Sequence, residues 1–170
     1  MAPDNFSLLN KDFDVSKISK VERRDEDDVW KFETYFDSNG NKLLYREEET
    51  IPDYDYNYVK EEYYDLAGRC IRSFMIDVLE EDEATLVISD YSPEDGFGSS
   101  NTRTFDMEGN LLQVDELSPR QSISTYYTGK GIDYKVETDY DENQNLIEKR
   151  MYDGNGNLTE RQNPTQLPKS

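Results

Sequence analysis

A short turn signature recurs five times in this 170-residue chain and constrains its fold more than any other feature. Each copy has an aromatic residue, then Asp, two variable residues, Gly and Asn or Arg, and an aliphatic residue follows; the copy at Tyr140 has Gln144 in place of Gly. The copies begin at Phe36, Tyr64, Phe105, Tyr140 and Tyr152. Asp can accept hydrogen bonds from backbone N–H groups just ahead of it, and Gly supplies the positive φ that a short hairpin loop usually needs. The signature therefore predicts β-hairpin turns built on Asp37, Gly40, Asp65, Gly68, Asp106, Gly109, Asp141, Asp153 and Gly156.

Side-chain alternation between these turns predicts strands. Trp30, Phe32 and Phe36 share one face, with Lys31 and Glu33 on the other. We expect strands near residues 15–24, 28–37, 42–50, 56–65, 69–78, 84–91, 101–106, 111–117, 121–128, 132–141, 145–152 and 157–161. Turn residues separate most neighbours, which favours a long meander. The predicted fold class is all-β: an antiparallel β-meander of repeated hairpins, with about 10–12 strands in a twisted or curved sheet.

The length of the chain favours one domain, which we place at residues 15–161. We expect residues 1–14 and 162–170 to be flexible ends. Leu, Ile, Val and Phe are few, but 13 Tyr supply large rings that fit pleated strands. The core should therefore be thin and rich in tyrosine.

The charge balance restricts the class of partner. The chain has 38 acidic and 19 basic residues, a net charge of −19. This argues against binding to nucleic acid or to an anionic membrane, since both reward clusters of Lys and Arg. It suits a basic protein partner, although excess acid can also serve solubility alone. Cys70 is the only cysteine and the first residues lack a signal-peptide pattern, so we expect a cytoplasmic protein.

The turn units resemble two groups of bacterial proteins. The units 36–43, 64–71, 105–112, 140–147 and 152–158 are similar to the tyrosine-aspartate repeats of Rhs-type proteins, and also to the short hairpin repeats of MORN-like antitoxins. In the large Rhs proteins such repeats wind into a shell around a toxic C-terminal domain. A small acidic repeat protein looks more like the immunity protein encoded beside such a toxin, which is what the resemblance implies here.

Metal and catalytic sites have little support in the sequence. Asp139, Asp141, Asn143 and Asn145 match the first ligand positions of an EF-hand, but Arg150 stands where a bidentate Glu is required. The chain has no His, which excludes Ser–His and Cys–His nucleophile pairs and His-containing metal sites. Cys70 lies in an expected strand, where a structural thiol is the better interpretation. We therefore expect no enzyme activity, no metal and no cofactor.

The best candidate for partner binding is the stretch 47–65, EEETIPDYDYNYVKEEYYD. It combines acids, which would pair with Lys or Arg, and tyrosines, which give rigid contact area with a polar tip. The predicted contact residues are Glu47, Glu48, Glu49, Asp53, Tyr54, Asp55, Tyr56, Tyr58, Glu61 and Glu62. The alternative is a solvated strand face with half of the tyrosines in the core.

Three functions remain open at this point. The first is an immunity protein or antitoxin that binds a cognate toxin domain with a basic surface. The second is a structural repeat module or a remnant of a larger Rhs-type shell, which should self-associate through open sheet edges. The third is a carbohydrate-binding β module that uses exposed aromatic residues.

Overall fold

The computed structural model describes residues 8–80, 82–93 and 98–164 and shows one antiparallel sheet of twelve strands. The strands follow one another in chain order and the sheet is not closed, so β1 and β12 are its edges. The all-β meander predicted from the sequence is confirmed. The strands are β1 (Lys20–Glu26), β2 (Trp30–Phe36), β3 (Lys42–Glu49), β4 (Tyr58–Tyr64), β5 (Cys70–Glu80), β6 (Glu83–Ser92), β7 (Ser99–Asp106), β8 (Leu111–Ser118), β9 (Gln121–Thr128), β10 (Gly131–Tyr140), β11 (Leu146–Asp153) and β12 (Leu158–Gln162).

The five signature turns share one geometry. At the first, the Asp37 N–H donates to the Asn41 carbonyl at 3.0 Å, and the Gly40 N–H donates to the Asp37 carbonyl at 3.1 Å. The Asp37 carboxylate accepts the N–H groups of Asn39 and Asn41, both at 2.8 Å. Equivalent backbone bonds form at Asp65, Asp106, Asp141 and Asp153. Gly40 has a φ of 83°, and Gln144 adopts the same left-handed region at 64°. What recurs along the chain is therefore the hydrogen-bonding pattern of the turn.

The chain divides into two compact units, Met1–Asp90 and Tyr91–Ser170. The prediction of one domain over residues 15–161 stays a prediction. In the first unit a core cluster forms on one face of the sheet, from Leu8, Tyr35, Leu44, Tyr63 and Phe74. In the second unit, no hydrophobic residue of the described ranges 91–93 and 98–164 is fully buried. The thin, tyrosine-containing core belongs to the first unit.

The N-terminal segment corrects two expectations. We expected residues 1–14 to be flexible, but Leu8 is buried in the core cluster and Phe13 packs against Tyr63, with ring centroids 5.2 Å apart. Residues 15–24 do not form one strand, because a 3-10 turn over Val15–Lys17 precedes β1. The segment is held because its apolar side chains cover one sheet face. Residues 1–7 and 165–170, the outer parts of the two expected flexible ends, lie outside the described residues.

The described part of the chain contains no helix that is long and apolar enough to cross a membrane.

Candidate partner-binding surface

Strand register divides the stretch 47–65 between two faces of the first unit. In neighbouring strands, residues directly opposite one another point to the same side. Trp30 lies opposite Glu49, which lies opposite Tyr58. The same register brings together Phe32, Glu47 and Lys60, and then Thr34, Tyr45 and Glu62. We call this side the acidic aromatic face and define it as Trp30, Phe32, Tyr45, Glu47, Glu49, Tyr58, Lys60, Glu62 and Tyr64.

Aromatic rings form one end of the acidic aromatic face. Trp30 stacks on Phe32 with centroids 5.7 Å apart and meets Tyr58 edge-on at 5.9 Å. The Arg24 guanidinium lies 4.6 Å from the centre of the Phe32 ring. Lateral contacts of this kind restrict the rotamers of large side chains on a sheet surface. These contacts therefore hold the rings in place.

Carboxylates link the tyrosines of the face to one another. Glu47 accepts hydrogen bonds from the hydroxyls of Tyr45 at 2.9 Å and Tyr58 at 3.0 Å. Glu62 accepts one from Tyr64 at 2.5 Å and lies 2.5 Å from the Lys60 ammonium. The hydroxyls of Tyr45, Tyr58 and Tyr64 all act as donors. The carboxylates of Glu47 and Glu62 keep further lone pairs that can accept hydrogen bonds.

The pKa values of several side chains on the face are shifted away from neutral pH. Burial and then the bond to Glu47 raise the pKa of Tyr45 to about 12, and the same two causes raise the pKa of Tyr58 further. Burial works to raise the pKa of Glu62, but the bonds from Lys60 and Tyr64 outweigh it and hold that pKa below its usual value. The tyrosines stay neutral donors and Glu62 stays charged.

The acidic aromatic face is half-exposed rather than buried. All nine of its residues have intermediate exposure. Strand β4 shows the asymmetry directly, because Val59, Glu61 and Tyr63 are buried while Tyr58, Lys60, Glu62 and Tyr64 alternate with them. Within the described residues, the buried hydrophobic side chains of this unit lie on the opposite face or in the segment that covers it. The acidic aromatic face is thus the side of this unit whose aromatic and charged residues stay partly exposed among the described residues.

The predicted contact residues are brought together only in part. Glu47, Glu49, Tyr58 and Glu62 share the acidic aromatic face. Asp53, Tyr54 and Asp55 are exposed in the loop between β3 and β4, and Tyr56 is half-buried there. Glu48 points to the other side, where it accepts hydrogen bonds from Arg46 at 2.9 Å and Asn57 at 3.1 Å.

Glu61 is the clear correction among the predicted contact residues. Its side chain has no exposed surface, so it cannot touch a partner. Its carboxylate accepts the backbone N–H groups of Leu9 and Asn10, the Tyr63 hydroxyl and the Arg46 Nε–H. Its position two residues from both Val59 and Tyr63 was the available signal for burial. Sequence reasoning also missed that Trp30, Phe32 and Tyr45 complete the face.

The calcium-like segment is engaged in local contacts, and the Cys70 thiol is partly buried. Asp141 holds its own turn, accepting the N–H groups of Asn143 at 2.8 Å and Asn145 at 2.9 Å. Asp139 is paired with Arg150 at 2.6 Å. Burial raises the pKa of the Cys70 thiol. No group of three or more His, Cys, Asp or Glu side chains among the described residues is arranged to hold a metal ion.

Comparison with known proteins adds no relative. No protein-family model, curated protein or solved structure matches the chain. The resemblance to tyrosine-aspartate repeats and MORN-like antitoxins therefore stays a prediction that rests on the turn signature.

Proposed function

We propose that the protein is an immunity protein or antitoxin that binds a cognate bacterial toxin domain and neutralises it in the cytoplasm. The observation that supports this most is the acidic aromatic face, a half-exposed surface whose rings and carboxylates are already ordered by contacts with each other. Fixed aromatic and charged groups are what a binding surface needs, because ordering side chains on association weakens affinity.

The charge distribution supports a basic partner. Residues 1–90 contain 24 acidic and 11 basic side chains, so most of the net charge of the chain belongs to the unit that carries the face. A field of one sign accelerates encounter with a partner of the opposite sign and disfavours others. A toxin domain with a Lys- and Arg-rich surface, such as one that acts on a polyanion, has the required chemistry.

The chemistry of the face supports stoichiometric binding rather than turnover. The carboxylates of Glu47 and Glu62 accept tyrosine hydroxyls, and the pKa of Glu62 is lowered rather than raised toward neutrality. A carboxyl group used as a general acid would instead need a raised pKa. The face would therefore neutralise the toxin by binding over its active site or its substrate-binding surface.

Growth rescue tests the proposal. Expression of the neighbouring toxin gene should arrest a host, and co-expression of this protein should restore growth only when the protein at least equals the toxin in amount. Rescue at a small fraction of the toxin level would indicate an enzyme and contradict stoichiometric binding. Failure to bind any product of the surrounding locus would refute the proposed function.

A structural repeat module is the second candidate, and the open sheet favours it. Both edge strands are largely exposed, and an unpaired edge is a template for further strands. This candidate expects concentration-dependent self-association in sedimentation experiments. A monomer that stays monodisperse across concentration and melts cooperatively would contradict it.

A further inference from the structure

The first unit also contains a cleft of about 1260 Å³. One wall is the N-terminal segment over residues 10–19, and the other walls are the turns that begin at Asp37 and Asp65. Its floor includes Ile71 and Arg72 at the start of β5. The cleft includes Tyr64 of the acidic aromatic face but none of the rings at its Trp30 end, so most of its lining lies outside that face.

Exposed aliphatic side chains line the cleft. Leu66 is 78% exposed and Ile71 is 39% exposed, and Phe13 lies half-buried beside them. Leu66 occupies the first variable position of its turn, where the corresponding residue of the preceding turn is Ser38. The turn geometry itself does not require an aliphatic residue there. A concave surface with aliphatic side chains open to water can bury them against a partner.

Charge in the cleft is mainly negative. Its lining contains five carboxylates and two cations: Asp12, Asp14, Asp37, Asp65 and Asp90, with Lys17 and Arg72. Arg72 already has an anionic partner within the cleft, because it forms an ion pair with Asp90. The carboxylates of the two turns accept hydrogen bonds inside their own turns, which fixes their positions and keeps them ionised.

We propose that this cleft binds a short segment of the partner that carries both aliphatic and Lys or Arg side chains. The aliphatic groups would cover Leu66 and Ile71, and the cations would approach the carboxylates of Asp12 and Asp37, since Asp65 already pairs with Arg69 at 2.8 Å. A second copy of this acidic chain would meet like charge at the same place, which disfavours self-association through the cleft. The inference rests on the proposed function, since it describes how a basic toxin domain would be held.

Methyl NMR with defined peptides tests the cleft. The probe is a short acetylated peptide in which Leu and Lys alternate, compared with a Leu/Glu peptide and a Ser/Lys peptide of equal length. Titration into the full chain should shift the methyl signals of Leu66 and Ile71 with the Leu/Lys peptide. Much weaker shifts are expected with the other two, because each lacks one of the two required features.

A double variant and a matched control make the result specific. L66K with I71K should weaken binding of the Leu/Lys peptide by at least about tenfold. L112K with I147K makes the same chemical change at exposed positions of the second unit and should leave binding unchanged. All four positions are at least 36% exposed, so both variants should keep the wild-type melting temperature. Equal loss in both variants, or shifts confined to the acidic aromatic face, would overturn the cleft assignment.

The toxin experiments separate failure of the cleft from failure of the proposed function. If the L66K and I71K variant rescues growth and binds the toxin as the wild type does, the cleft inference is wrong and the proposed function stands. If the Leu/Lys peptide binds in the cleft but no product of the locus binds, the proposed function is wrong and the cleft still accepts a basic segment.

Discussion

The Glu61 carboxylate accepts a hydrogen bond from the Leu9 N–H at 2.9 Å and from the Tyr63 hydroxyl at 2.8 Å, and it pairs with the Arg46 Nε at 3.2 Å. A buried carboxylate costs several kcal/mol of desolvation unless such donors surround it. Here two of the donors are backbone groups of the N-terminal segment, so one charge holds that segment against the sheet. The stability of the first unit depends on this residue more than on any exposed acid.

Glu61→Gln should destabilise the protein by about 3–5 kcal/mol, because it removes the buried charge that several donors surround, leaves Arg46 with Glu48 as its ion-pair partner, and turns an NH2 group toward N–H donors. The measurement is urea unfolding, with hydrogen exchange at the amides of Leu9 and Asn10. Exchange there should accelerate as the segment loosens. Glu62→Gln, one residue away on the half-exposed face, is the control and should cost about 1 kcal/mol. Equal unfolding midpoints for the two variants would contradict this role of Glu61.

Gly154 is required for space, unlike the glycines at positive φ. A Cβ at this position would lie 2.3 Å from the backbone oxygen of Ile132. The corresponding residue in the first turn is Ser38, so the turn type does not demand glycine. We expect Gly154→Ala to cost roughly 1–3 kcal/mol in thermal or urea unfolding. Ser38→Ala is the control, with a change within about 0.5 kcal/mol. Similar losses of stability in the two variants would show that the backbone around Gly154 moves at little cost to accept a Cβ, and would contradict the need for glycine there.

At the scale of elements, the second unit relies on contacts between strands rather than on a core. Arg150 on β11 reaches Glu137 and Asp139 on β10 at 3.1 and 2.6 Å and Glu148 on its own strand at 2.5 Å. On the other face, Tyr126 stacks on Tyr134 with centroids 4.3 Å apart. Cross-strand pairs of these kinds each add a fraction of a kcal/mol to a sheet. Many such pairs can hold a sheet that buries little apolar area.

Arg150→Met should destabilise the protein by about 1–3 kcal/mol, because it removes the cation shared by three carboxylates and increases the repulsion among them. Lys135 and Arg161 still pair with Glu137 and Glu148 and limit the loss. High salt should reduce the loss by screening that repulsion. The measurement is urea unfolding at low and high salt. Arg120→Met is the control, since Arg120 meets Glu142 only at 3.9 Å on the exposed surface. A loss for Arg150→Met that does not respond to salt would point to packing instead.

The turns give the sheet a dependence on pH. Hydrogen bonds from the Asn157 side chain and backbone hold the pKa of Asp153 below its ordinary value of 3.8. A lowered folded-state pKa adds stability that is complete above 3.8 and is lost as the pH falls through the folded-state value. We therefore expect the stability difference between wild type and Asp153→Asn to be constant near neutral pH and to shrink below 3.8. A difference in unfolding free energy that grows on acidification would contradict this. Comparing the two proteins at each pH cancels the effects of the other titrating groups, which both share.

At the scale of the whole molecule, the parts that sequence could predict are the local ones. Asp and Gly at fixed spacing define each turn, and alternation between turns defines each strand, so all twelve strands were expected. The position of the N-terminal segment was not, because the segment lacks strand alternation and is held by Glu61, about fifty residues away along the chain. The acidic aromatic face was found in part. Its tyrosines and acids are adjacent in sequence, whereas Trp30 and Phe32 join them only through the register of β2 with β3.

The affinity of a purified pair decides whether the acidic aromatic face binds a basic partner, as proposed above. Isothermal titration with the protein that co-purifies from the native host should give one-to-one binding. Glu49→Lys with Glu62→Lys, both on this face, should weaken it by at least about tenfold. Glu108→Lys with Glu142→Lys makes the same charge change on exposed turns of the second unit and should weaken it far less. Equal weakening by the two pairs would show that net charge alone governs binding and would contradict a specific face.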